Sequence, residues 1–219
     1  MRVFHWSLLA SVAGAWLTDS LGVTYFRYHL WCGYAVLVLV SFRILWGLVG
    51  TRHARFWNFL RGPLATARYG LGLLRGSNRP SVGHNPLGGL MVVLLLAMLL
   101  TEAITGLFGN DEIFNFGPLS GYVTNAQSIG LTSLHRKLFN FILAAIALHV
   151  LAVVYYQFFK RERLVNAMWH GRKPTGAVPA DEQISGSRLW LAVLLVAILS
   201  AALAWIVVHA PTPVADSVN

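Results

Sequence analysis

Residues 87–100 run without a single polar side chain, and the apolar character continues to residue 108. A soluble helix keeps a polar face toward water, so an apolar surface on every side belongs inside a large core or inside a bilayer. Crossing the ~30 Å hydrocarbon layer takes roughly 20 mostly apolar residues. Five stretches meet or approach that length: residues 3–17, 29–49, 87–108, 135–159 and 189–209. The last is interrupted only by Ser200. Composition agrees: 56% of the 219 residues are hydrophobic and 11% charged, against roughly 25% charged in an ordinary soluble domain. The expectation is an all-α integral membrane protein.

Residues 3–17 are the weakest of the five. Met1-Arg2, the apolar run and Ala13-Gly14-Ala15 also resemble a secretory signal peptide. His5-Trp6 inside the run argues for a retained helix.

The basic residues orient the chain. Arg2, the seven arginines from Arg43 to Arg79 and the six basic residues from Lys160 to Arg188 fall on one side, 14 of the 17. Arg27, Arg136 and Lys137 fall on the other. The positive-inside rule places the N-terminus and both basic loops in the cytoplasm, and residues 26–28, 109–134 and the C-terminal tail in the periplasm. The net charge of +9 then reflects topology, and no nucleic-acid partner is expected. Cys32 is the single cysteine, so no intrachain disulfide forms, and no Cys-x-x-Cys-His sequence is present to attach haem covalently.

Between the second and third spans, Leu64, Ala67, Leu71 and Leu74 recur at helical spacing while Arg61, Arg68 and Arg75 repeat every seven residues. The pattern suits a helix lying in the membrane interface; a docking surface is the alternative. Gly70-Leu71-Gly72 begins like a nucleotide-binding loop but lacks the third glycine and a preceding strand. Ser185-Gly186-Ser187 reads as part of a linker.

Four of the eight histidines fall in or at the edge of a span: His5, His29, His135 and His149. Intramembrane imidazoles face the bundle interior and commonly have a function; the plain alternative is a neutral ring bonded to nearby backbone. Their depths separate these readings. His135 and His149 are 14 residues apart, roughly 21 Å along the axis and within about 40° of the same face. His135 lies near the periplasmic side with His29, and His149 lies toward the cytoplasm with His5. Two imidazoles from two helices at one depth suit a flat macrocycle held by its iron between them. Zinc or copper would gather three or four ligands at one depth, and a di-iron centre would need carboxylates.

Arg43, 14 residues after His29, reaches the depth of the cytoplasmic pair, where it pairs with a haem propionate or snorkels at a span end. Asn85 and Pro86 suit a helix start, and His84 beside them is a candidate contact for a propionate or quinone. Glu102 is the one carboxylate inside a span, suited either to carrying protons or to a hydrogen bond within the bundle. Asp111, Glu112, Phe114, Phe116 and Tyr122 form an acidic and aromatic loop, either a docking face or an interfacial belt. His53, His170 and His209 read as surface residues.

Six stretches carry a family resemblance: Arg2-Val3-Phe4-His5-Trp6; Tyr28-His29-Leu30-Trp31-Cys32-Gly33-Tyr34; Phe42-Arg43-Ile44-Leu45-Trp46-Gly47-Leu48-Val49-Gly50; Gly83-His84-Asn85-Pro86-Leu87-Gly88-Gly89; Leu134-His135-Arg136-Lys137-Leu138; and Leu148-His149-Val150. With the segment 164–173 they span roughly residues 1–173. The chain resembles the bacterial cytochrome b561 group, especially the b-type cytochrome subunits of nickel–iron hydrogenases. That resemblance implies a four-helix bundle with two non-covalent haems b, ligated at His5, His29, His135 and His149. It also implies quinone as one redox partner and a periplasmic protein (hydrogenase, dehydrogenase or c-type cytochrome) as the other.

The expected organisation is therefore a four-helix di-haem domain over 1–173, a cytoplasmic linker over 174–188, a fifth transmembrane helix over 189–209 and a periplasmic tail over 210–219. The fifth helix departs from the family pattern. The expected role is electron transfer across the bacterial inner membrane, in contact with lipid. The alternative is a stand-alone oxidoreductase such as a superoxide:quinone oxidoreductase.

Overall fold

The computed structural model describes residues 1–75, 85–161, 164–170, 186 and 188–212. His84, most of the linker and residues 213–219 of the tail lie outside the described residues. The described residues form eight α-helices: α1 (Arg2–Ser20), α2 (Phe26–Val49), α3 (Phe56–Phe59), α4 (Pro63–Leu74), α5 (Pro86–Leu107), α6 (Asn125–Phe158), α7 (Leu164–His170) and α8 (Leu189–Val208). Their only β pairing is one isolated bridge between Asn110 and Phe116.

Four segments among the described residues are long and apolar enough to cross a bilayer: Val23–Val49, Pro86–Leu107, Asn125–Phe158 and Leu189–Val208. The expected first span is helical but is not among them. Arg2, His5, Ser7, Ser11, Thr18, Asp19 and Ser20 make α1 more polar than the others. It packs along α2 and shows Val3, Leu9, Trp16 and Leu17 on its outer surface.

Helix ends follow local chemistry. The Asn85 side chain accepts the Gly88 N–H at 2.7 Å and Pro86 takes the first turn of α5, satisfying a donor that a helix start leaves unpaired. α6 begins ten residues before the expected span at 135, because Thr124 and Gln127 form a reciprocal capping box. His135 therefore sits three turns inside a helix rather than at its start.

The helices pack in the order α1, α2, α5, α6, and α8 lies against α2. Val36 and Val40 of α2, Leu96 and Leu99 of α5 and Ile142 of α6 form the buried centre. Leu8 and Val12 of α1 pack against it. A second cluster of Phe42, Trp46 and Ala54 is covered by Leu191, Ala192, Leu195, Val196 and Leu199 of α8. The rest of α8 is exposed apolar surface, including Trp190, Ile198 and Trp205, as lipid contact requires.

The connections sort to opposite ends. Arg188 Nη1 donates to the Val49 carbonyl, tying the start of α8 to the end of α2. Arg2 Nη1 donates to the Trp169 carbonyl of α7 at the same arginine-rich end. At the other end Gly121 lies directly against the Pro211 carbonyl beyond α8.

Candidate functional site

His5, His29, His135 and His149 form two facing pairs. The His29 and His135 rings are 6.1 Å apart, centre to centre, with planes at 79°. The His5 and His149 rings are 6.5 Å apart at 46°. An iron bonded to one nitrogen of each ring, at the ~2 Å usual for a metal–imidazole bond, spaces the ring centres at about 6.3 Å. Both pairs match that spacing, and all four rings are half-buried.

The scaffold explains the opening between them. α1 packs on α2, α2 on α5 and α5 on α6, whereas α6 does not pack closely on α1 or α2. The paired rings thus face each other across a slot between helices that otherwise stay apart. Gly33, one turn after His29 and half-buried, has no heavy atom within 4 Å of where a Cβ would stand. A flat group entering beside His29 meets empty space there.

At the His29/His135 level the tautomers are set by backbone. His29 Nδ1 lies 2.9 Å from the Ala15 carbonyl oxygen, and His135 Nδ1 lies 2.9 Å from that of Glu102. A carbonyl only accepts, so each Nδ1 carries the proton and each Nε2 keeps its lone pair for a metal. The same bonds fix the ring orientation, the usual second-layer support for a metal-binding histidine. Phe26 stacks on His29 at 6.1 Å and 14°. Gly106 lies flat against His135, where a Cβ would be 3.0 Å from Cε1.

The Glu102 side chain is buried beside this pair, with Oε1 3.5 Å from His135 Nε2 and Oε2 without a partner. At the other level His5 Nδ1 is buried without a partner among the described residues, and Trp6 meets the His5 ring edge-on at 5.7 Å.

Ile142 separates the levels. It is fully buried and stands seven residues from both His135 and His149. With Val36, Val40, Leu96 and Leu99 it makes a dry apolar layer between the pairs. The histidines of α6 are 14 residues apart, roughly 21 Å at the α-helical rise.

Arg43 reaches the expected level, since neighbouring Phe42 contacts Phe4 at 6.2 Å, one residue from His5. It is 5% exposed, and its Nη1 has no hydrogen-bond partner among the described residues. Its guanidinium lies over the rings of Phe56 and Phe59 at 5.1 and 5.8 Å. Gly47 permits that arrangement: a Cβ there would enter the Phe56 ring. A buried cation with an unused donor suits an anionic group brought to the site.

Among the described residues no three His, Cys, Asp or Glu side chains gather as a metal site. Paired imidazoles alone suit an iron whose other positions are filled by a macrocycle.

Over residues 1–171 the sequence matches the family described as prokaryotic cytochrome b561. The chain belongs to that family. It is accordingly a multi-pass bacterial membrane protein, a b-type cytochrome with a role in membrane electron transfer. No curated protein and no solved structure matches the chain. The matched region ends before α8.

The sequence singles out the four histidines and Arg43, and the structure brings the histidines together as two ring pairs. Sequence reasoning missed Phe26, although its position three residues before His29 already places both on one helix face. It also missed Gly106 and the carbonyls of Ala15 and Glu102, which no side-chain pattern reveals.

Proposed function

We propose that this cytochrome holds two haems b, one between His5 and His149 and one between His29 and His135. It would carry electrons across the inner membrane between the quinone pool and a periplasmic redox protein. The observation that carries this reading is the pair of ring separations, 6.1 and 6.5 Å, at two depths of one bundle.

Bound haem supplies reversible one-electron iron chemistry. The chain's own residues hold and tune it. Ala15 and Glu102 carbonyls keep His29 and His135 in the Nδ1–H tautomer, so both Nε2 atoms point electron density inward. The Ile142 layer keeps water from the space between the levels. Arg43 offers its free donor to a propionate of the cytoplasmic haem. The arginine-rich loops favour a cytoplasmic side for that haem and a periplasmic side for the Asp111 loop.

The periplasmic partner fits a hydrogenase, dehydrogenase or c-type cytochrome, and the motif stretches favour a role like that of hydrogenase cytochrome subunits. Domain limits of 1–173 for the di-haem unit, 174–188 for the linker, 189–209 for the added helix and 210–219 for the periplasmic tail belong to the same reading.

The test is the dithionite-reduced minus air-oxidised spectrum of the purified protein with a pyridine haemochrome assay. Sharp low-spin b-type bands with about two haems per chain are expected. One haem per chain would remove one of the pairs from the proposal.

A further inference from the structure

α4 leaves a built surface that electron transfer does not use. Its inner face, through Thr66, Tyr69, Gly70 and Leu73, is half-buried against the bundle. The Tyr69 hydroxyl lies 3.0 Å from that of Tyr156 on α6. The outer face, with the residues just beyond each end, carries Arg61, Leu64, Arg68, Leu71 and Arg75, all exposed. Their spacing of three and four residues puts arginine and leucine on one stripe. In the structure they share the outer, exposed side.

Beside this stripe, α4 and the start of α5 enclose a groove of about 450 Å³. Leu60, Pro63, Ala67, Gly70, Leu87 and Leu90 form its apolar lining, and Arg61 is also part of its wall. The Thr66 hydroxyl, the other polar group there, is already turned to the Gly62 carbonyl. No Asp or Glu occurs between residues 20 and 101, so this segment brings no anion of its own for its arginines. α4 packs against α5 near its start and lies in the chain between α2 and α5, two helices long and apolar enough to cross the membrane, which sets it at the headgroup level.

We propose that the α4–α5 groove is a binding site for an anionic phospholipid. One acyl chain lies along the apolar wall, and the phosphate is held by Arg61 with Arg68 adding charge. A quinone ring is a poorer occupant, because its two carbonyls need donors and the wall offers only Arg61. The site depends on the membrane position of α2 and α5 and not on how many haems the protein binds.

Native mass spectrometry of the full chain tests this, after exchange into nanodiscs of equal phosphatidylglycerol and phosphatidylcholine. The wild type should release from the nanodisc with phosphatidylglycerol bound in preference to phosphatidylcholine. A charge near an anionic surface contributes a factor of about five per arginine, so R61Q should weaken that preference about fivefold and R61Q/R68Q about 30-fold. R61K should retain most of it. Ala67→Leu, which fills the groove and leaves every charge in place, should lower total bound lipid. An unchanged visible spectrum in each variant establishes that the bundle is folded. Equal retention of both lipids by the wild type, or an unchanged preference in R61Q/R68Q, would overturn the proposal. So would stoichiometric displacement of the lipid by a soluble quinone analogue, which would make the groove a quinone site.

Discussion

The His135 ring stands 6.1 Å from the His29 ring, and each is anchored by a carbonyl from a different helix, Glu102 of α5 and Ala15 of α1. One ring pair is thus positioned by four helices at once. Shifting any of them alters the separation of the two rings.

Removing one ring from either pair should remove one haem. His29→Ala and His149→Ala are each expected to cut the haemochrome content from about two to about one per chain. The two variants should lose different components of a potentiometric titration. Loss of the same component in both would place these residues at one centre.

Gly106→Leu should disturb the His135 level alone. A Cβ at this position would already be 3.0 Å from His135 Cε1, so a branched side chain must push the ring aside. With two haems bound as proposed, the expected result is loss or broadening of the EPR signal of the His29/His135 centre, with that of the His5/His149 centre unchanged. Gly106→Ala should be milder, shifting the signal without abolishing it.

Arg43→Gln removes a buried positive charge from the His5/His149 level while keeping hydrogen-bonding capacity. A nearby cation favours the reduced, less positive iron, so its removal should lower that midpoint potential. The shift is expected on the order of tens of millivolts at a protein-like dielectric. Redox titration checks it, and an unmoved potential would make Arg43 a packing residue stacked on Phe56 and Phe59.

Asp111 organises the loop before α6. Partial burial pushes its carboxyl up, but the N–H groups of Asn115, Ile113 and Phe114 and the Asn115 side chain outweigh this and hold it at about 2. The depressed value means the ionised form stabilises the folded loop. That stabilisation is complete above the ordinary carboxylate value of 3.8 and fades as pH falls toward about 2. Asp111→Ala should therefore raise protease sensitivity at Ile113 and Phe114 at neutral pH, and have little further effect near pH 2. Limited proteolysis read by mass spectrometry distinguishes the variants.

Much of the site is legible in the linear sequence because helices convert spacing into depth and direction. The interval from His135 to His149 reads as one face and two levels whatever surrounds it. The cap at Asn85 is equally local, a short side chain three residues from its donor, whereas the capping box at Thr124 went unread because the apolar run starts only near residue 135.

What local pattern could not supply is the neighbour relation. Apolar periodicity marks α2, α5 and α6 as membrane helices, but lipid and protein are equally apolar partners, so it does not say which helices touch. The packing order α1, α2, α5, α6, the slot that keeps α6 from α1 and α2, and the contact of Gly106 with His135 arise from shape complementarity across the bundle. The polarity of α1 shows the same division: its sequence is marginal as a span, and its place is set by packing along α2. By itself the sequence determined a membrane protein, its four intramembrane histidines and their two depths, because hydrophobicity and helical rise are properties of the chain alone. Only the tertiary structure decided that those histidines face each other at about the spacing an iron needs, because that distance depends on side chains from four helices packing at once.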